Sequence, residues 1–308
     1  MSRPGVVVGN GIPALIGMLL PMSASAQLCE FGAEMLPFVP ASGWPDGLQG
    51  FVRLVNPRAQ AAEVAFTARD DAGNAYDLSV SLGPRETLHF NSADLEAGNV
   101  EKGGLVGTGS EPAMGHWRLC FPPGDHAVEP TAYIRTRDGF LTDMTSSVAF
   151  AGTWDCAADG LCAEWRLPIF NPAANTNQVS RLRLINNGDD EATVLVTGFR
   201  TDGSRNLDSL GNHATVSGTV PASTAVELSA HELETGEGLD AKLGIATDVD
   251  GVDLPLGNLG PALGKWRLLV RSRGIADSGQ LVIVNLMATP TGHVTNLSTD
   301  HLDAWNRR

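Results

Sequence analysis

Basic side chains, close cysteine pairs and long apolar runs are scarce in this 308-residue chain, and each scarcity excludes a class of function. Twenty-one Lys and Arg stand against 35 Asp and Glu, a formal charge of −14. That field repels a phosphate backbone instead of steering it in, so no nucleic-acid partner is expected. The four cysteines include no Cys-x2-4-Cys pair and the seven histidines no His-x3-His, so zinc finds no ligand pattern. A Gly-x-Ser-x-Gly nucleophile elbow is absent too. Beyond the leader described next, no stretch reaches the roughly 18 uninterrupted apolar residues of a spanning helix. The 35 Gly and 18 Pro make the chain turn-rich without bringing it to low complexity, which excludes disorder, collagen and coiled coil. Length allows roughly two domains of about 150 residues.

The start of the chain reads as an export signal: Arg3, an apolar middle from Val6 to Leu20, then Ser23, Ala24, Ser25 and Ala26 before Gln27. Small residues at the last and third-last positions fit signal-peptidase cleavage after Ala26. Gly9, Asn10, Gly11 and Pro13 interrupt the run and argue against a permanent anchor, and the residues before Cys29 do not form a lipobox. The mature chain is therefore expected in the periplasm or outside the cell, with 20 basic against 35 acidic groups. An oxidising compartment turns Cys29, Cys120, Cys156 and Cys162 into disulfide candidates. Of the three possible connectivities, the short turn between Cys156 and Cys162 favours local closure, which leaves Cys29 for Cys120.

Laid on itself, the chain repeats. Gln49 to Gly73 matches Val179 to Gly203 without a gap at a shift of 130, pairing Arg53 with Arg183 and Asn56 with Asn186. Leu88 to Gly98 matches Val226 to Gly236 at 138, Gly115-His116-Trp117-Arg118-Leu119 matches Gly264-Lys265-Trp266-Arg267-Leu268 at 149, and Gly139 to Thr142 matches Gly292 to Thr295 at 153. Such a period, about 115 to 130 residues, is too long for a solenoid. Within each copy apolar residues alternate, as at Val64, Phe66 and Ala68, and Asp71-Ala72-Gly73 closes a hairpin. Six or seven such runs at roughly 10-residue spacing predict an all-β chain of two tandem antiparallel β-sandwich, immunoglobulin-like domains. Each carries one short helical turn, capped by Asn91 with Asp94 and by Ser229 with Glu232. The expected division is a signal peptide over 1–26, a first repeat over 27–150, a joining segment over 151–164, a second repeat over 165–300 and a tail over 301–308.

The elements RLVN, DDAG, TLHFNSADLEAGN, GHWRL and YIRTRDGFLT, with VSRLRLIN, ELETGEG, GKWRL and TPTGHVTNLS in the second copy, resemble a functionally uncharacterised tandem β-sandwich module of secreted bacterial proteins. The resemblance spans nearly all of residues 36–298 and implies bacterial export and a tandem fold, with no catalytic residues. The first copy departs from it where an expected GTGxGxG loop reads GTGSEPAMG over residues 107–115.

Candidate chemistry is sparse. The shift grows from 140 at Lys102 and Lys242 to 149 at Trp117 and Trp266, and the inserted loop holds Asp248, Asp250 and Asp253, three carboxylates that could offer oxygens to Ca2+. They do not make an EF-hand, since its sixth position is Asp253 and its twelfth Leu259; a solvated loop tip is the simpler reading. Asp277-Ser278-Gly279 resembles a trypsin-like nucleophile segment but lacks its flanking glycines and any histidine segment. Glu86, Asp94 and Glu96 could act as paired carboxylates, though capping accounts for Asp94. Trp117 and Trp266 share a face with Leu119 and Leu268 and read as core. Trp44, Trp154, Trp165 and Trp305 lie outside the repeat and suit domain seams or a sugar or protein partner. The expected function is a non-catalytic exported module for binding, spacing or adhesion at the cell envelope, contacting an extracellular or envelope protein or glycan through loops such as Asp248 to Asp253. The alternative is a secreted hydrolase or a Ca2+-dependent carbohydrate binder.

Overall fold

Alternating apolar residues make strands because successive side chains leave opposite faces of an extended backbone. The computed structural model describes residues 34–44, 47–122, 128–148, 150–153, 163–207, 210–211, 213–273 and 280–298. Its first part holds β1 (Glu34–Val39), β2 (Gln49–Val55), β3 (Ala62–Arg69), β4 (Ala75–Leu82), β5 (Thr87–Asn91), α1 (Ser92–Ala97), β6 (Trp117–Phe121), β7 (Glu129–Arg135) and β8 (Leu141–Asp143). The second holds β9 (Phe150–Thr153), β10 (Ala163–Phe170), β11 (Val179–Asn186), β12 (Ala192–Phe199), β13 (Thr215–Val220), β14 (Ala225–Ser229), α2 (Ala230–Thr235), β15 (Trp266–Arg273), β16 (Leu281–Ala288) and β17 (Val294–Asn296).

The chain is an all-β protein built of antiparallel sandwiches, as the patterning predicts. In the first half, sheet β1-β6-β3-β4 packs on sheet β5-β2-β7-β8; Phe66, Trp117 and Leu119 meet Val52, Phe90 and Ile134 between them. In the second, β13-β12-β15-β10-β9 packs on β14-β11-β16-β17 around Trp165, Trp266, Leu184 and Ile283. Apart from β9, the two halves have the same strand order. The segment expected to join the copies contributes β9 itself, paired with β10.

Eight strands in the first half and nine in the second exceed the six or seven expected. The additions leave no period-two trace: β1 is buried continuously from Leu36 to Val39, and β8 and β17 have three residues each.

Each short helix forms where a capping box satisfies its first amides. Asn91 accepts from the Asp94 amide at 2.9 Å while Asp94 accepts from the Asn91 amide at 3.0 Å, and Ser229 and Glu232 repeat the exchange at 3.2 and 2.7 Å. Six residues are too few to make a layer. Instead each helix places a carboxylate over a buried indole. Trp117 donates to Glu96 at 3.0 Å and Trp266 to Glu234 at 2.8 Å, which satisfies the one polar atom of each ring.

Sheet β14-β11-β16-β17 is covered on both faces. Leu182, Leu184, Leu228 and Ile283 face the second core, whereas Ile185, Ala225, Val284 and Leu286 join the first. The halves are thus packed together through apolar side chains, with edge bonds from Thr142 to the Val294 carbonyl at 2.7 Å and from Asn296 to the Ser146 carbonyl at 3.0 Å. Among the described residues no helix is long and apolar enough to cross a membrane.

Candidate binding cleft between the two sandwiches

The most unusual chemistry lies at this junction and starts from the β3–β4 hairpin. Gly73 turns the chain with φ +94°, and a Cβ there would come 2.9 Å from the Ser223 carbonyl oxygen of the second half. Gly115, with φ +64°, leaves room for Asp71, whose Oδ2 would lie 1.9 Å from an added Cβ. Both positions therefore demand glycine. Asp71 points into the junction, where Arg183 of β11 meets it with two hydrogen bonds, at 2.8 Å to Oδ2 and 2.5 Å to Oδ1. The Arg183 side chain is 0% exposed. Its Nε donates to the Pro37 carbonyl at 3.3 Å, and its guanidinium lies over the Phe38 ring. Burial opposes the Arg183 charge, but Asp71 outweighs it and holds the pKa above the ordinary value.

A second buried cation stands beside the first. Arg118 of β6 donates to the Asp70 carbonyl at 2.7 Å and, across the junction, to the Ser223 carbonyl. Burial, then the neighbouring Arg183, push its pKa down to about 9. His116, two residues earlier, is wedged between Phe38 and Trp44, with ring centroids at 4.6 and 4.2 Å. Its backbone amide donates to Asp71 Oδ2 at 3.1 Å, and its Nδ1 is buried without a hydrogen bond. Burial and then the charges of Arg183 and Arg181 hold its pKa well below 6.5, so the ring is neutral at pH 7.

Above this layer opens a cleft of about 470 Å3. The first half supplies Trp44, Met114 and His116, and the second Ala225, Val226 and Glu227. Lys242 closes one side, held by the Glu227 carbonyl at 2.6 Å and by Glu232 at 2.7 Å. Burial opposes ionisation of Glu232, yet hydrogen bonds from Lys242 and Ser229 prevail and keep its pKa below the usual carboxylate value. Glu227 accepts from Arg181 at 3.1 Å through Oε1, and its buried Oε2 has no hydrogen bond. The arrangement can hold a ligand. Among the described residues it brings no hydroxyl or thiol nucleophile against a base.

Of the residues singled out by sequence, Trp44 lines the cleft and the other described ones lie elsewhere. Asp248 turns its carboxylate onto its own loop, accepting from the Asp250 amide at 2.9 Å and the Val252 amide at 2.8 Å; Asp250 and Asp253 are exposed. Among the described residues no three His, Cys, Asp or Glu side chains gather as a metal site. Glu86 accepts from the Gly83 amide, Asp94 caps α1 and Glu96 holds Ser42 and Trp117, so these carboxylates do not pair with one another. Cys120 is buried on β6 and is not a free thiol. Cys29, Cys156, Cys162, Trp154, Trp305, the Asp277-Ser278-Gly279 segment and the leader over 1–26 lie outside the described residues. Trp165 belongs to the second core, and of the two described non-repeating tryptophans Trp44 enters the cleft.

Sequence reasoning missed Asp71, His116 and Arg183 as a group. Their one signal is divergence at shared positions: Asp71 and His116 align with Thr201 and Lys265. Comparison with family models, with curated proteins and with solved structures finds no match to the chain.

Proposed function

We propose that the protein is an exported, non-catalytic tandem module that binds or spaces partners at the cell envelope, its two sandwiches held as one rigid body. The observation that carries this reading is the Arg183–Asp71 pair, buried between the halves and bonded at both carboxylate oxygens. Such a joint fixes the loops of one sandwich relative to the other, which suits a scaffold for recognition. The matching strand orders support a tandem module of the bacterial secreted type. The leader and the paired cysteines, Cys29 with Cys120 and Cys156 with Cys162, complete the proposal. The test is to express the full chain in a bacterial host and fractionate the cells. The protein is expected in the periplasm or medium with Gln27 at its N-terminus, and without turnover of ester, glycoside or peptide substrates. Retention of residues 1–26 in the cytoplasm would refute export. Turnover abolished by one point substitution would refute the non-catalytic reading.

A further inference from the structure

A strand at the edge of a sheet presents a row of backbone N–H and C=O groups that a protein must either cover or use. The repeat supplies an internal comparison, because β4 and β13 hold the same edge position in the two halves. Ser79 pairs with Ala65 and Ser217 with Leu195, so Ser79 is the counterpart of Ser217, and Ser81 likewise of Thr219. In the second half the inserted loop lies along this edge. Thr219 exchanges two hydrogen bonds with Gly244, both at 3.0 Å, and the Ser217 amide donates to the Leu256 carbonyl at 2.9 Å. Ser217 and Thr219 are buried as a result.

The first half lacks the insertion, and its edge stays open. The Ser81 amide donates to the Gly103 carbonyl at 2.8 Å, which fixes the side on which this residue faces outward. Backbone groups of alternate residues in a strand share a side, so those of Ser79 and Asp77 point the same way. Among the described residues none bonds to them there, and both residues are exposed. Apolar surface borders the gap. Tyr76 and Leu78 are only half-buried at the margin of the core, and Val100 and Val106, on either side of Gly103 in sequence, are 81% and 80% exposed. The outer face carries the exposed carboxylates of Asp77 and of Glu63, which lies opposite Ser81.

We infer that the β4 edge is a docking site for an extended peptide segment of a partner protein, one that alternates apolar with basic side chains and adds to the sheet as a further strand. Its backbone bonds to Asp77 and Ser79, its apolar side chains cover Tyr76 and Leu78, and its basic ones meet Asp77 and Glu63. Opposite charges across neighbouring strands favour this pairing, and the net charge of −14 draws a basic segment in. The same charge opposes edge-to-edge pairing with a second copy. The inference rests on the binding reading above and deepens it by naming a surface and a kind of partner.

Isothermal titration of the purified full chain with a peptide of eight alternating Lys and Val residues, the length of β4, tests it. The peptide is expected to bind, and to bind tenfold or more weakly when its backbone amides are N-methylated or when Glu replaces Lys. Ser79→Pro removes an edge amide that the sheet does not use, so the variant should keep its fold and lose tenfold or more in affinity. Near-UV circular dichroism identical to the parent shows that it is folded. Asp77→Lys, on the exposed face, should shift the preference toward the Glu peptide and tests the charge match independently of Ser79→Pro. Failure of the parent to bind the Lys peptide, equal binding of its N-methylated form, unchanged affinity in folded Ser79→Pro or an unshifted preference in Asp77→Lys would each overturn the proposal. A dimer in sedimentation that Ser79→Pro dissolves would overturn it too, by giving the edge to a second copy. None of these results bears on export, which the fractionation above decides.

Discussion

Arg183 and Arg53 occupy the same repeat position and lead opposite lives. Arg53 is exposed on β2, while Arg183 is buried because the first sandwich covers its sheet. A buried pair contributes little relative to an apolar replacement, but breaking one side strands a charge. Asp71→Asn should therefore cost about 3–5 kcal/mol, roughly ten degrees in Tm for a chain of this size. Replacing both Asp71 and Arg183 by Leu should recover much of that loss; a thermal melt checks both. His116 adds a pH dependence. Its folded pKa lies well below 6.5, so the unfolded chain takes the proton first as pH falls. The stability it contributes is complete above pH 6.5 and is lost on acidification below it. Burial, Arg53 and Lys102 shift His89 in the same direction. Tm should fall between pH 7 and pH 5, and less steeply in His116→Phe. Equal slopes would show that His116 is not the group responsible.

At the scale of elements, legibility followed local signals. The capping boxes were readable because Asn91 with Asp94, and Ser229 with Glu232, act within one turn of backbone. Asn91→Ala and Ser229→Ala should each cost about 1 kcal/mol in a denaturant melt, by removing an acceptor for an otherwise unbonded amide. The partners of the two indoles were also within reach, since Glu96 and Glu234 align at the shift that aligns the helices. Strands β1 and β8 were not readable. The first is buried too continuously to alternate, and the second is too short to show a period. The acidic loop shows a different limit. Three Asp at short spacing suggest oxygen ligands, but spacing does not reveal that Asp248 is engaged by its own backbone.

For the whole molecule, the joint between the halves was the least legible feature, yet it left a trace. Strand β16 reads Leu-Val-Ile-Val-Asn-Leu-Met-Ala, nearly apolar throughout, where its counterpart β7 reads Glu-Pro-Thr-Ala-Tyr-Ile-Arg. Continuous apolar character marks a strand covered on both faces. Val284 and Leu286 use that second face to enter the first core. The cleft had no such trace, because its walls come from segments far apart in sequence and its key carboxylates look like ordinary surface acids. The account predicts that the two sandwiches unfold together. Differential scanning calorimetry of the full chain should show one transition whose van't Hoff and calorimetric enthalpies agree, displaced as a whole to lower temperature by Asp71→Asn. Two resolved transitions in the parent, with the first unmoved by Asp71→Asn, would contradict it.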